Sequence, residues 1–131
     1  MNNPARIFIA CLVVLGLALN LAPIVLAQTV TATLTGNVSD QSGALVPNVK
    51  VIATNQGTKI EHSTQSNDSG IYTIPFLPIG EYVVTAEISG FKKLVTNPIK
   101  LEVNQTARGD LKLELGEGTQ VMDVGGVGPT L

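Results

Sequence analysis

Runs of strictly alternating apolar and polar residues dominate the chain from Thr29 to Leu115, and this feature decides the fold class. Val30, Ala32, Leu34 and Val38 share one parity, while Thr29, Thr31, Thr33 and Thr35 hold the other. The same period recurs through Val49, Val51 and Ala53; Tyr72, Ile74 and Phe76; Tyr82, Val84, Ala86 and Ile88; Ile99, Leu101 and Val103; and Leu111, Leu113 and Leu115. A two-residue period sends successive side chains to opposite faces of an extended strand, so each run has one face to bury. The abundance of Thr, Val, Ile and Tyr suits a pleated sheet. No stretch carries the 3.6-residue stripe of an amphipathic helix.

The runs predict seven strands, over residues 29–39, 48–55, 58–66, 70–76, 81–89, 94–103 (broken at Pro98) and 106–115. Turn chemistry separates them, with Gly43, Gly70, Gly80 and Gly90 placed where the chain must reverse. Short alternating strands at this spacing imply an all-β sandwich. Tyr72, Phe76, Tyr82 and Phe91 lie in the apolar runs and are expected to fill the core between its sheets. Residues 28–115 are the expected sandwich, and 116–131, rich in Gly, a flexible connector or tail.

The N-terminus is a different material. Arg6 precedes the uncharged apolar run Ile7–Leu19, and Val25-Leu26-Ala27 supplies a small-residue exit. A positive start, an apolar centre and such an exit form a secretory signal peptide over residues 1–27, with cleavage expected between Ala27 and Gln28. Cys11, the single cysteine, lies too early in the apolar run for a lipid anchor and departs with the signal. The mature chain then has no disulfide, no thiolate and no membrane span.

Chemistry is sparse. His62 is the single histidine, so a zinc site has no ligand set; the residue reads as a solvated strand histidine. Asn67-Asp68-Ser69 resembles part of a calcium loop, but it lacks the spaced carboxylates such a loop needs and reads as a hairpin turn. No nucleophile motif or phosphate loop occurs. A net charge of −2 offers no basic face to nucleic acid. These residues point to no catalytic group, cofactor or metal.

Three ordered blocks carry a family resemblance: Gly36 to Val51 (GNVSDQSGALVPNVKV), Asn67 to Tyr72 continuing through Phe76-Leu77-Pro78-Ile79-Gly80-Glu81-Tyr82, and Val83 to Lys93. Together they resemble a carboxypeptidase regulatory-like domain. The resemblance implies a transthyretin-like, carbohydrate-binding-like sandwich in which these residues specify turns and core, not a reaction. Signal peptide, this domain, Leu111–Gly116 and Val121–Val124 in that order are similar to the start of Oar-like TonB-dependent outer-membrane receptors. That context implies a periplasmic or outer-membrane-associated accessory module whose partner is a receptor plug and barrel or another envelope protein. The alternative is a free-standing secreted module that binds carbohydrate or protein.

Overall fold

The computed structural model describes residues 4–5 and 30–124. The cleavage point at Ala27 and Gln28, nearly all of the expected signal peptide, and the tail beyond 124 lie outside the described residues. Among the described residues ten strands run β1 (Thr31–Asp40), β2 (Lys50–Asn55), β3 (Glu61–Gln65), β4 (Ile71–Pro78), β5 (Gly80–Glu87), β6 (Lys93–Thr96), β7 (Ile99–Leu101), β8 (Thr106–Arg108), β9 (Leu111–Leu113) and β10 (Thr119–Met122). They form two sheets. In the smaller, β1 pairs antiparallel with β4 on one side and parallel with β8 and β9 on the other. The larger runs β10-β6-β5-β2-β3, with β7 also on β5. The described residues include no helix long and apolar enough to cross a membrane.

Alternation does what the sequence predicts for most strands. Leu34 and Val38 of β1, Tyr72, Ile74 and Leu77 of β4, Val51 and Ala53 of β2, and Tyr82, Val84 and Ala86 of β5 are buried in one cluster with Leu94, Leu101, Leu111 and Leu113. Each large side chain so buried contributes about 1.5–3 kcal/mol.

The expected seven strands become ten for local reasons. Pro98 breaks the sixth run into β6 and β7, because proline has no N–H for the ladder. Across the gap the Thr96 hydroxyl accepts the Val84 N–H at 3.0 Å. The seventh run divides at Gly109-Asp110, yet β8 and β9 keep one continuous parallel register on β1. There the Asp110 carboxylate accepts the Asn37 N–H at 2.9 Å, replacing a backbone partner.

Residues 119–122 are not a free connector. Thr119–Met122 pairs parallel with Lys93–Thr96 and completes one edge of the larger sheet. Gln120 also reaches the other sheet, accepting from the Glu114 N–H and donating to the Lys112 carbonyl, both at 2.8 Å. Met122 and Val124 pack partly against the core. The strand forms because β6 presents unpaired backbone groups, and Val121-Met122 suits an extended edge.

Phe76 is the clearest departure in the core. Ala32 pairs with Leu77 but Leu34 with Ile74, so β4 carries one residue more than β1 between these pairs. This β-bulge reverses the parity of the residues beyond it. Leu77 therefore enters the core, and Phe76 is left 77% exposed.

Candidate functional site

The outer face of the smaller sheet is built by β1, β4 and β8. On β1 the half-buried Thr31, Thr33, Thr35 and Asn37 alternate with the buried residues and lie on this face. The bulge sets Pro75 and Phe76 opposite Thr33, and Thr33 pairs with Thr106 on its other side. The next row holds Thr73, Thr35 and Arg108. The third brings Ile71 beside Asn37, whose N–H binds Asp110. An aromatic ring, hydroxyls, an amide and an ion pair thus share one exposed surface.

The groups on this face are ordered by hydrogen bonds. Thr35 Oγ1 donates to the Tyr72 carbonyl at 2.8 Å, and Thr35 and Thr73 hydroxyls are 3.0 Å apart. A hydroxyl has one proton, so Thr73 is the donor of that pair. The Arg108 Nε lies 3.1 and 3.2 Å from the two Asp110 carboxylate oxygens. Phe76 has φ 58°, a left-handed conformation that is an outlier for a bulky side chain.

The outer face of the larger sheet differs in chemistry. Register aligns Ser63, Ile52, Thr85, Val95 and Val121 in one row across β3, β2, β5, β6 and β10. Ile52, Val83 and Val95 are half-buried, and Val121 is exposed. Beside them Lys93 pairs with Glu87 at 2.7 Å. The Lys93 hydrogen bond and charge hold the Glu87 carboxyl below its ordinary range. Apolar residues thus stand at the polar parity of these strands.

The four glycines expected at turns, Gly43, Gly70, Gly80 and Gly90, all have positive φ there. Beside Gly43, Asp40 accepts from the Ser42 N–H, the Ser42 hydroxyl and the Ala44 N–H. These contacts, the Ser42 hydroxyl first, lower its carboxyl from the ordinary 3.8. Of the expected core aromatics, Tyr72 and Tyr82 are fully buried, whereas Phe91 is only partly buried against the core. The two tyrosine hydroxyls donate to the Gly109 carbonyl at 2.6 Å and the Pro78 carbonyl at 2.8 Å respectively. His62 is a half-buried residue of β3 opposite Ala53. Asn67 caps its own turn, accepting from the Ser69 and Ile71 N–H groups at 3.0 and 2.9 Å. No group of three or more metal-ligating side chains occurs among the described residues.

Several organising residues give little signal in the sequence. Ser66, buried, accepts the Val49 N–H and donates to the Val46 carbonyl, both at 2.9 Å. Asn55, also buried, accepts from Gly57 and Thr58. Both stand at strand ends beside turns, where Ser and Asn satisfy stray backbone groups. Arg108 and Asp110 carry a weak signal, an opposite-charge pair two residues apart and therefore on one face of a strand.

Comparison with known proteins places this architecture. The pattern for the carboxypeptidase regulatory-like domain matches residues 33–114. The TonB-dependent transporter Oar of Myxococcus xanthus is 31% identical over 102 residues, 77% of this chain, which spans 10% of that relative. Among solved structures, the Bacillus anthracis TIE protein superimposes with TM-score 0.56 at 21% identity, covering 66% of this chain and 17% of that one. Hydroxyquinol 1,2-dioxygenase from Pseudomonas putida DLL-E4 gives TM-score 0.56 at 11% identity over 70% of this chain and 58% of that one. A Pseudomonas aeruginosa protein provisionally assigned to carbohydrate binding gives 0.51 at 12% identity over 65% of this chain and 90% of that one. At such identities these likenesses establish the shared sandwich alone. With two sheets, the block spacing and the family pattern in agreement, the chain belongs to the carboxypeptidase regulatory-like domain family.

Proposed function

We propose that this chain is a non-catalytic β-sandwich module, exported to the periplasm by the signal peptide of residues 1–27 and working as the N-terminal accessory domain of a TonB-dependent outer-membrane receptor. The observation that carries the reading is the 31% identity to Oar over 102 residues. Because the chain spans 10% of that relative, the role proposed is that of the accessory domain and not of transport.

Two features support a binding role over a chemical one. Ile52, Val95 and Val121, in one row with Thr85, supply apolar contacts for a receptor plug or another envelope protein. The titratable residues that catalysis would need to gather are dispersed: His62 is on β3 of the larger sheet and Arg108 on β8 of the smaller. The test is immunoprecipitation of the chain from detergent-solubilised outer membranes of its source cells, with the captured polypeptides identified by mass spectrometry. The expected result is a TonB-dependent barrel, bound to the chain or continuous with it. Recovery from the soluble fraction without a barrel overturns the reading.

A second reading, binding of carbohydrate, is favoured by one observation, the 77% exposure of Phe76. Sugar-binding surfaces present aromatic rings to solvent, and the solved P. aeruginosa neighbour has been provisionally assigned that role.

A further inference from the structure

We infer that the outer face of the smaller sheet binds a neutral polyhydroxylated ligand, a glycan, with Phe76 as the stacking platform and Thr73, Arg108 and Asp110 as the polar contacts. This inference rests on the carbohydrate reading and assigns it a place on the molecule.

Phe76 has φ 58° and is 77% exposed. A glycine would occupy that conformation without strain, and Leu77 already fills the core beneath. Neither backbone geometry nor burial therefore accounts for an aromatic here. Strained residues of this kind concentrate at ligand sites. Pro75 and Pro78 flank it and restrict the local backbone, so the ring sits on a stiff segment. An aromatic face is mildly negative and suits the polarised C–H bonds on one side of a sugar ring.

The polar groups beside the ring match a hydroxylated ligand. Thr35 commits its proton to the Tyr72 carbonyl, and Thr73 commits its own to Thr35. The Thr73 oxygen can then only accept from outside. Arg108 directs Nε to Asp110, while its terminal nitrogens carry further N–H donors. Acceptors and donors lie side by side, and a hydroxyl group, which does both, satisfies either. Positions on this face repeat at about 5 Å across strands and about 7 Å along them, the scale of a hexose ring.

Charge selects the ligand class. Arg108 and Asp110 neutralise one another at 3.1 Å, and no other residue of these three rows is charged. A neutral polar face complements a neutral polar ligand. It offers no excess charge to a phosphate, an acidic peptide or an anionic lipid.

The test is native affinity electrophoresis of the full chain through gels containing dextran, glycogen, laminarin or galactomannan, with alginate as the anionic control. The expected result is retardation by at least one neutral polymer, insensitive to salt. Phe76→Gly and Thr73→Val each weaken it tenfold or more, while the melting temperature of Phe76→Gly equals or exceeds that of the parent. Free migration in every neutral gel overturns the inference together with the carbohydrate reading. Retardation that both variants retain leaves that reading standing and refutes this site. Retardation by alginate alone refutes the neutral ligand class. A lowered melting temperature for Phe76→Gly refutes the claim that the ring is there for a ligand.

Discussion

The Tyr72 hydroxyl donates to the Gly109 carbonyl at 2.6 Å, joining β4 to the point where β8 gives way to β9, with β1 between them. The closeness of this crossing depends on Gly36. A Cβ there would collide with the Gly109 carbonyl oxygen and lie 2.9 Å from the Tyr72 ring. Tyr72→Phe leaves a buried carbonyl without this donor and is expected to cost about 1–3 kcal/mol. Gly36→Ala forces the strands apart and should cost at least ~1–3 kcal/mol. Urea unfolding of both variants measures these losses; a neutral Gly36→Ala would mean the strands can separate freely.

The same hydroxyl makes stability fall in alkali. Burial, assisted by the nearby Asp110 charge, pushes the Tyr72 hydroxyl well above its ordinary 10.0. A folded-state pKa raised above the unfolded one stabilises the protein fully below the unfolded value, and that contribution is lost as pH climbs through the folded value. Unfolding free energy is therefore expected to decline as pH rises above about 10, and to decline less in Tyr72→Phe. Denaturant melts at a series of pH values from neutral upward compare the two. Parallel curves would show that Tyr72 ionises without unfolding.

Two aromatics that look alike in sequence should respond oppositely to truncation. Tyr82 is fully buried and its hydroxyl donates to the Pro78 carbonyl at 2.8 Å. Tyr82→Ala is expected to cost about 3–5 kcal/mol. Phe76, which is 77% exposed, loses little burial when truncated, and Phe76→Ala should stay within about 0.5 kcal/mol of the parent. Thermal or chemical melts of the pair decide it. Equal losses would place Phe76 in the core after all.

Strand β10 ties the chain's exit to the sandwich, and hydrogen exchange reports that tie directly. Lys93 donates its N–H to the Gly118 carbonyl at 2.9 Å, and Asn97 donates to the Met122 carbonyl at 2.9 Å. Removing residues 117–131 should speed exchange at these two amides by orders of magnitude, while the amides of Val38 and Val84 stay protected. Unchanged exchange at Lys93 and Asn97 would mean that β10 does not hold the edge of β6.

Much of this architecture is legible in the sequence because alternation is a local signal. The parity of Leu34, Val51, Val84 and Leu113 marks them for burial before any topology is known, and all four are buried, whereas Val103 and Leu115, at the ends of their runs, are exposed. Gly70 and Gly90 mark reversals by their conformational freedom. Topology and register are not legible, since pairing of β1 with β8 joins residues far apart in sequence. Phe76 misleads because one inserted residue inverts parity downstream; Pro75 is the local signal, but proline suits an edge strand and a bulge alike, so it does not choose between them. Thr119–Met122 is short and bordered by glycines, so its order comes from the open edge of β6 and from Gln120, a tertiary partnership. The candidate face is hidden for the same reason, because Thr33, Thr73, Phe76 and Arg108 become neighbours only once three strands are in register.

Protease accessibility in the source cells is the decisive measurement for the proposed export of this module to the outer membrane. The chain is expected to be protected in intact cells, to be digested once the outer membrane is permeabilised, and to begin at Gln28 by N-terminal sequencing. Recovery from the cytoplasm, with residues 1–27 still attached, would contradict it.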